Sequence, residues 1–110
     1  MILKNMKDMV KGWFVGNFEP SCYKTTQVEV GIKEHKAGDV ESFHHHRIAT
    51  EITVVVLGTV KMNGAVYTAG DIITLLPCEG SDFNAITDTK LVVVKLPGAN
   101  NDKYPGKYNE

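Results

Sequence analysis

What most constrains this chain is a rhythm of short β-branched runs separated by turn residues. "EITVVVLG" at 51–58, "DIITLL" at 71–76 and "KLVVVKL" at 90–96 are dense in Val, Ile and Thr, whose branched side chains pack well on a pleated surface. "QVEVGIKEH" at 27–35 alternates Val28, Val30 and Ile32 with polar neighbours, the period of two expected of a half-buried strand. Between these runs stand turn signals: "AGD" at 37–39 and again at 69–71, "PCEG" at 77–80, and Asn63-Gly64. Asn-Gly suits a two-residue type I′ hairpin because both residues accept a positive φ, and here it joins "TVKM" to "AVYT". Strands this short, punctuated this regularly, predict an all-β antiparallel sandwich or barrel.

The 110 residues suit one domain. A chain of this size buries roughly 65% of its unfolded surface, enough for a core without staples. A net charge of -1 with scattered lysines gives no electrostatic footing for nucleic acid or an anionic membrane. The longest apolar run, "VVVLG" at 54–58, is far too short to span a bilayer. "MILKNMKDMVKGW" breaks its apolar residues with Lys4, Lys7, Asp8 and Lys11, unlike a secretory signal. Cys22 and Cys78 show no C-x-x-C spacing, so the expectation is a cytoplasmic protein with two free thiols. The domain divides into a barrel core over 27–97, an N-terminal strap over 1–26 and a polar C-terminal tail over 98–110. The first twelve residues suit a short helix or an edge strand, and the tail a surface strap or a frayed end.

Chemistry concentrates in "ESFHHHRIATE" at 41–51. On a strand, His44 and His46 point to one face and His45 to the other, with the first pair roughly 6–7 Å apart. Two imidazoles so placed converge on one ion at about 2.0–2.1 Å each. Glu51 follows a short turn later, within reach of the same face. Two histidines and a carboxylate with open positions form the facial-triad pattern of non-haem iron, and zinc, manganese, nickel and cobalt accept the same ligands. A solvent-facing polar pair is the competing account, and these residues alone leave both open.

The spacing Gly38-x5-His44-x-His46-x4-Glu51-x6-Gly58 resembles the first motif of the cupin superfamily at every defined position. The second cupin motif is echoed by Gly70, Pro77 and Gly80 with one extra residue in each gap. The resemblance spans about residues 27–97 and implies a small single-domain cupin, a double-stranded β-helix built as a jelly-roll-like barrel of two antiparallel sheets. It further implies a divalent metal (iron, manganese, zinc or nickel) on His44, His46 and Glu51, and a homodimer. One departure stands out. Phe83 occupies the place of the remaining cupin ligand histidine, and no histidine follows His46. Asp82 or Asn84 could substitute if that loop is shifted.

The function implied is binding of a small molecule, a carbohydrate among the candidates, with the metal available for catalysis. The alternatives are a metal-independent sugar or sugar-nucleotide isomerase or epimerase, and a non-catalytic binding cupin. Arg47 is the only arginine, which makes tight recognition of a nucleotide diphosphate hard to build. Fold alone does not choose enzyme from binder. Among the remaining residues, Phe83 reads as core packing or a pocket lid, and Cys78 as a structural thiol. Trp13, Phe14 and Phe18 read as apolar mass packed on the barrel or on a second subunit. Lys33 and Lys95 lie in otherwise apolar strands, where they suit either an anionic ligand or a protected sheet edge. His35 is a candidate for facing the same cavity as the ligands.

Overall fold

The computed structural model describes residues 1–109, with ten strands and one 3-10 turn at Met6–Asp8. The strands are β1 (Trp13–Val15), β2 (Glu29–His35), β3 (Val40–His45), β4 (Thr50–Leu57) and β5 (Thr59–Met62). They continue with β6 (Ala65–Thr68), β7 (Ile72–Leu75), β8 (Gly80–Ala85), β9 (Thr89–Leu96) and β10 (Tyr104–Pro105). Two five-stranded antiparallel sheets form, in the orders β1-β2-β9-β4-β7 and β10-β3-β8-β5-β6. The all-β double-stranded β-helix expected from the sequence is the architecture observed. No helix among the described residues is long and apolar enough to cross a membrane.

The turns repeat one piece of chemistry. At the first "AGD" the Asp39 amide donates to the Lys36 carbonyl at 3.0 Å while the Lys36 amide donates to the Asp39 carboxylate at 2.9 Å. At the second, Asp71 and Thr68 make the same reciprocal pair at 3.0 and 2.8 Å. Glu79 and Leu76 make it a third time, at 3.0 and 2.7 Å. The residue before each acid has a positive φ: +93° at Gly38, +98° at Gly70 and +72° at Cys78. An acidic side chain thus closes the turn that launches β3, β7 and β8. Asn63 and Gly64, at φ +50° and +79°, form the hairpin between β5 and β6.

Register decides what faces the interior. Across the first sheet one row runs Glu29, Lys95, Glu51 and Leu75, and the next runs Gly31, Val93, Thr53 and Ile73. Val93 and Thr53 are buried, which marks these odd-numbered rows as the inner face. The alternation in "QVEVGIKEH" therefore points opposite to the simple hydrophobic expectation. Glu29, Gly31, Lys33 and His35 face inward, and Val30 and Ile32 lie on the outer face. The apolar core is made by Val55, Leu91 and Val93 of the first sheet against Val60, Met62, Phe83 and Ala85 of the second. The polar row at Glu29, Lys95 and Glu51 lies at the other end of the space between the sheets.

Both termini take part in the sheets. β1 extends the first sheet, and β10 pairs with β3, Tyr104 opposite His45 and Pro105 opposite His44. Of the two options for the tail, the strap is the one realised.

The two glycines bounding the histidine motif differ in what they demand. Each has a positive φ, but a Cβ on Gly38 would meet nothing within 4 Å, whereas on Gly58 it would stand 2.2 Å from the Asp88 carbonyl oxygen. Gly38→Ala should cost about 1–2 kcal/mol, the left-handed penalty alone. Gly58→Ala should cost at least twice as much in denaturant unfolding, because backbone must move; equal costs would contradict this packing.

Candidate metal centre

A bulge in β3 aims the site. Glu41 faces Phe83 and His44 faces Ser81, three residues advancing against two. Ser81, Phe83 and Ala85 are buried while Asp82 and Asn84 are exposed, so the inner face of β8 carries the odd residues. The bulge brings both Glu41 and His44 onto that face despite their odd separation. His44, His46 and Glu51 consequently line one cavity of about 830 Å³.

Backbone carbonyls fix the two imidazoles. Nδ1 of His44 lies 2.9 Å from the Ser42 carbonyl and Nδ1 of His46 lies 2.5 Å from the Asp102 carbonyl. A carbonyl only accepts, so each Nδ1 carries hydrogen and donates, leaving each Nε2 with a free lone pair in the neutral ring. This is the outer-shell arrangement that orients histidine ligands in metal sites. The ring centroids stand 5.8 Å apart, edge to face.

Opposite His46 lies the carboxylate. Nε2 of His46 is 3.1 Å from Oε2 of Glu51, with His46 6% and Glu51 15% exposed. Two acceptors at that separation repel unless a cation lies between them or a proton is added to one. Burial pushes the Glu51 carboxyl up, but the hydrogen bond and charge of His46, with Lys95 and His44 behind them, hold it below the usual carboxylate value. Among the described residues, no three His, Cys, Asp or Glu side chains stand close enough together to hold a metal ion as they are placed.

His45 faces away from the cavity, as strand parity requires, yet it is 1% exposed rather than solvent-facing. The tail covers it. Its Nδ1 donates to the Gly106 carbonyl at 2.7 Å and its Nε2 accepts from Arg47 Nε at 3.1 Å. The Tyr104 ring stacks on it, and the Arg47 guanidinium lies 3.9 Å over that same ring. The only arginine is thus occupied in holding the tail.

Asp102 was not legible as a site residue. Its carboxylate accepts from the amides of Arg47, Ile48 and Ala49 at 2.9–3.1 Å, and its carbonyl takes the His46 proton. Burial raises its carboxyl, but those amides and the charge of His46 bring it below the usual value. The Cys78 amide, donating to the His46 carbonyl at 2.6 Å, clamps the ligand loop from the other side.

Phe83, which the motif resemblance sets where a further ligand histidine is expected, brings only carbon. Phe83 is buried in the core, and the His35 ring packs on it with centroids 4.6 Å apart. His35 does line the cavity. Asn84 faces out, and Asp82 is exposed and accepts from the Asn63 amide at 2.8 Å. Lys33 and Lys95 also line the cavity. Because β9 is internal to its sheet, edge protection does not account for Lys95. Glu29, 7% exposed at the end of the polar row, is the other buried acid that the hydrophobic pattern hid.

No family model matches the chain, and no curated protein matches it. Solved structures do. An uncharacterized protein with a double-stranded β-helix domain from Klebsiella pneumoniae matches at 22% identity, over 76% of this chain and 74% of that one, with a TM-score of 0.67. A sugar phosphate isomerase from a cupin superfamily, from Silicibacter pomeroyi, matches at 20% identity over 64% of this chain and 50% of that one, TM-score 0.58. The Escherichia coli pirin YhhW in complex with nickel(II) matches at 17% identity over 80% of this chain and 39% of that one, TM-score 0.65. At these identities the likeness is one of fold, and it agrees with the strand order and turns described above. The chain has the cupin fold, a double-stranded β-helix.

Proposed function

We propose that this chain is a small-molecule-binding cupin whose cavity holds a divalent metal on His44, His46 and Glu51. The observation that carries the reading is the 3.1 Å approach of two acceptor atoms, His46 Nε2 and Glu51 Oε2, with Nδ1 of both histidines already committed to carbonyls. A divalent cation between them would satisfy both acceptors and reach the Nε2 of His44 as well. When bound, a divalent ion would supply Lewis-acid polarisation of a ligand oxygen. The protein's own part is to fix both Nε2 atoms from behind and to enclose the ligand between Trp13, Phe83 and the sheet. The nickel complex of the pirin relative supports the metal, and the sugar phosphate isomerase supports a carbohydrate ligand. The two unpaired thiols support a cytoplasmic setting.

A second reading is favoured by the burial of Phe83 in the core and by there being, among the described residues, no three His, Cys, Asp or Glu side chains close enough to hold a metal ion. In it, His46 and Glu51 share a proton and serve as a metal-independent acid–base pair. Thermal unfolding separates the two. With metal at about 100 times its Kd, wild-type protein should gain about 2.7 kcal/mol, equivalent to a Tm rise of about 10–20 °C. Chelator should remove the gain, and His46→Ala should show neither effect. A wild-type Tm indifferent to both metal and chelator would leave the proton-sharing pair as the account.

The same fold supports a homodimer through the outer face of the first sheet. There Ile32, Val92, Val54 and Ile72 form one apolar row, and Val30, Val94 and Ile52 another. Light scattering should give twice the chain mass. Val94→Lys, placing a charge mid-face, should give the monomer with its circular dichroism unchanged; a wild-type monomer would contradict the dimer.

A further inference from the structure

Lys33 and Lys95 occupy inward positions on β2 and β9, one row to either side of the row in which Trp13 faces Gly31. Gly31 makes the arrangement possible. A Cβ there would stand 2.8 Å from the indole Cε3, so only glycine lets the ring lie flat on the sheet. The indole is then flanked by both ammonium groups, Lys33 Nζ at 4.1 Å and Lys95 Nζ at 4.9 Å from the ring. All three residues line the cavity that contains His44, His46 and Glu51.

Neither ammonium group stands in a salt bridge among the described residues, although acids act on both: the Glu41 charge raises Lys33, and the Lys95 charge lowers Glu29 and Glu51. The one hydrogen bond of Lys33 goes to the neutral Lys11 carbonyl. Burial and the neighbouring Lys95 charge push Lys33 down to about 8, which is the cost of holding two like charges together in a half-buried place. Glu29 and Glu51 flank Lys95 in its row, and its charge lowers both against the burial that raises them; Glu51 also faces His46, and Glu41 pairs with Lys103. Two ammonium groups beside one aromatic ring in a cavity can hold an anion while the ring packs on the apolar or sugar-like body that carries it.

We propose that Lys33, Lys95 and Trp13 form an anion subsite that takes the carboxylate or phosphate of the small-molecule ligand. The proposal rests on the cavity being a ligand site, and it does not depend on a metal. It names a ligand class: an anionic small molecule, held at its charged end by the lysines and presenting its other end to His44, His46 and Glu51.

The test is titration of metal-free protein, prepared by chelator treatment and dialysis, with inorganic phosphate and separately with malonate. Trp13, the only tryptophan, reports binding by its emission, and calorimetry checks it. Saturable binding of at least one anion is expected, weakened tenfold or more in Lys33→Met and in Lys95→Met. Lys95→Arg should retain it, and Lys90→Met, an exposed lysine on the opposite face, should leave it unchanged. Lys95→Gln serves if the methionine variant does not fold. Phosphate binding alone assigns a phosphorylated ligand, and malonate binding alone a carboxylate. No saturable binding of either anion overturns the subsite, as does binding untouched by the lysine variants. Binding that appears only after metal is restored also overturns it, because the anion then sits on the metal. Conversely, a metal response that survives in Lys33→Met alongside lost anion binding keeps the two sites apart.

Discussion

The arrangement on which the site depends is the meeting of His46 Nε2 and Glu51 Oε2 at 3.1 Å, with both side chains largely buried. Neither atom brings a hydrogen when His46 is neutral, because its single ring proton is given to the Asp102 carbonyl. A buried carboxylate facing a lone pair is costly; burial raises Glu51, and what holds it below the usual carboxylate value is first the hydrogen bond and charge that a protonated His46 offers, then Lys95 and His44. The pair is therefore satisfied either by a proton on His46 or by a bound cation. A divalent ion satisfies His44 at the same time, whereas a proton satisfies only the pair; this is why the metal reading leads.

Much of the molecule is organised to hold that meeting in place. The acid-closed turn at Leu76 and Glu79 sets Cys78 so that its amide grips the His46 carbonyl. From the other side, Asp102 ties together the three amides that follow His46. The tail residues beyond it cover His45 and pair with β3. The C-terminal segment is thus part of the ligand loop's scaffold, and the ring orientation at the site is set by residues over fifty positions away in the chain.

The fold was legible because its cues are local. β-branched runs, Asn63-Gly64 and the two "AGD" turns each specify short-range geometry, and each appears where expected. The candidate residues were legible through the alternation of His44, His45 and His46 and through the motif spacing, although β3 ends at His45 and a bulge sets the face that His44 takes. What could not be read was any feature created by register between distant strands. The valines of "QVEVGIKEH" drew the eye to the wrong face: Glu29, Lys33 and His35 point inward because β2 pairs with β9, and no local pattern encodes that pairing. Asp102 was hidden for the same reason, lying in a polar stretch whose partner is a loop far upstream. His35 against Phe83 is likewise a contact made by the two sheets closing.

Elemental analysis of untagged protein tests the central claim most directly. The account predicts about one divalent metal ion per chain, either as purified or after dialysis against manganese, iron, nickel or zinc, and none in His46→Ala. Wild-type protein that takes up none of these ions would contradict it.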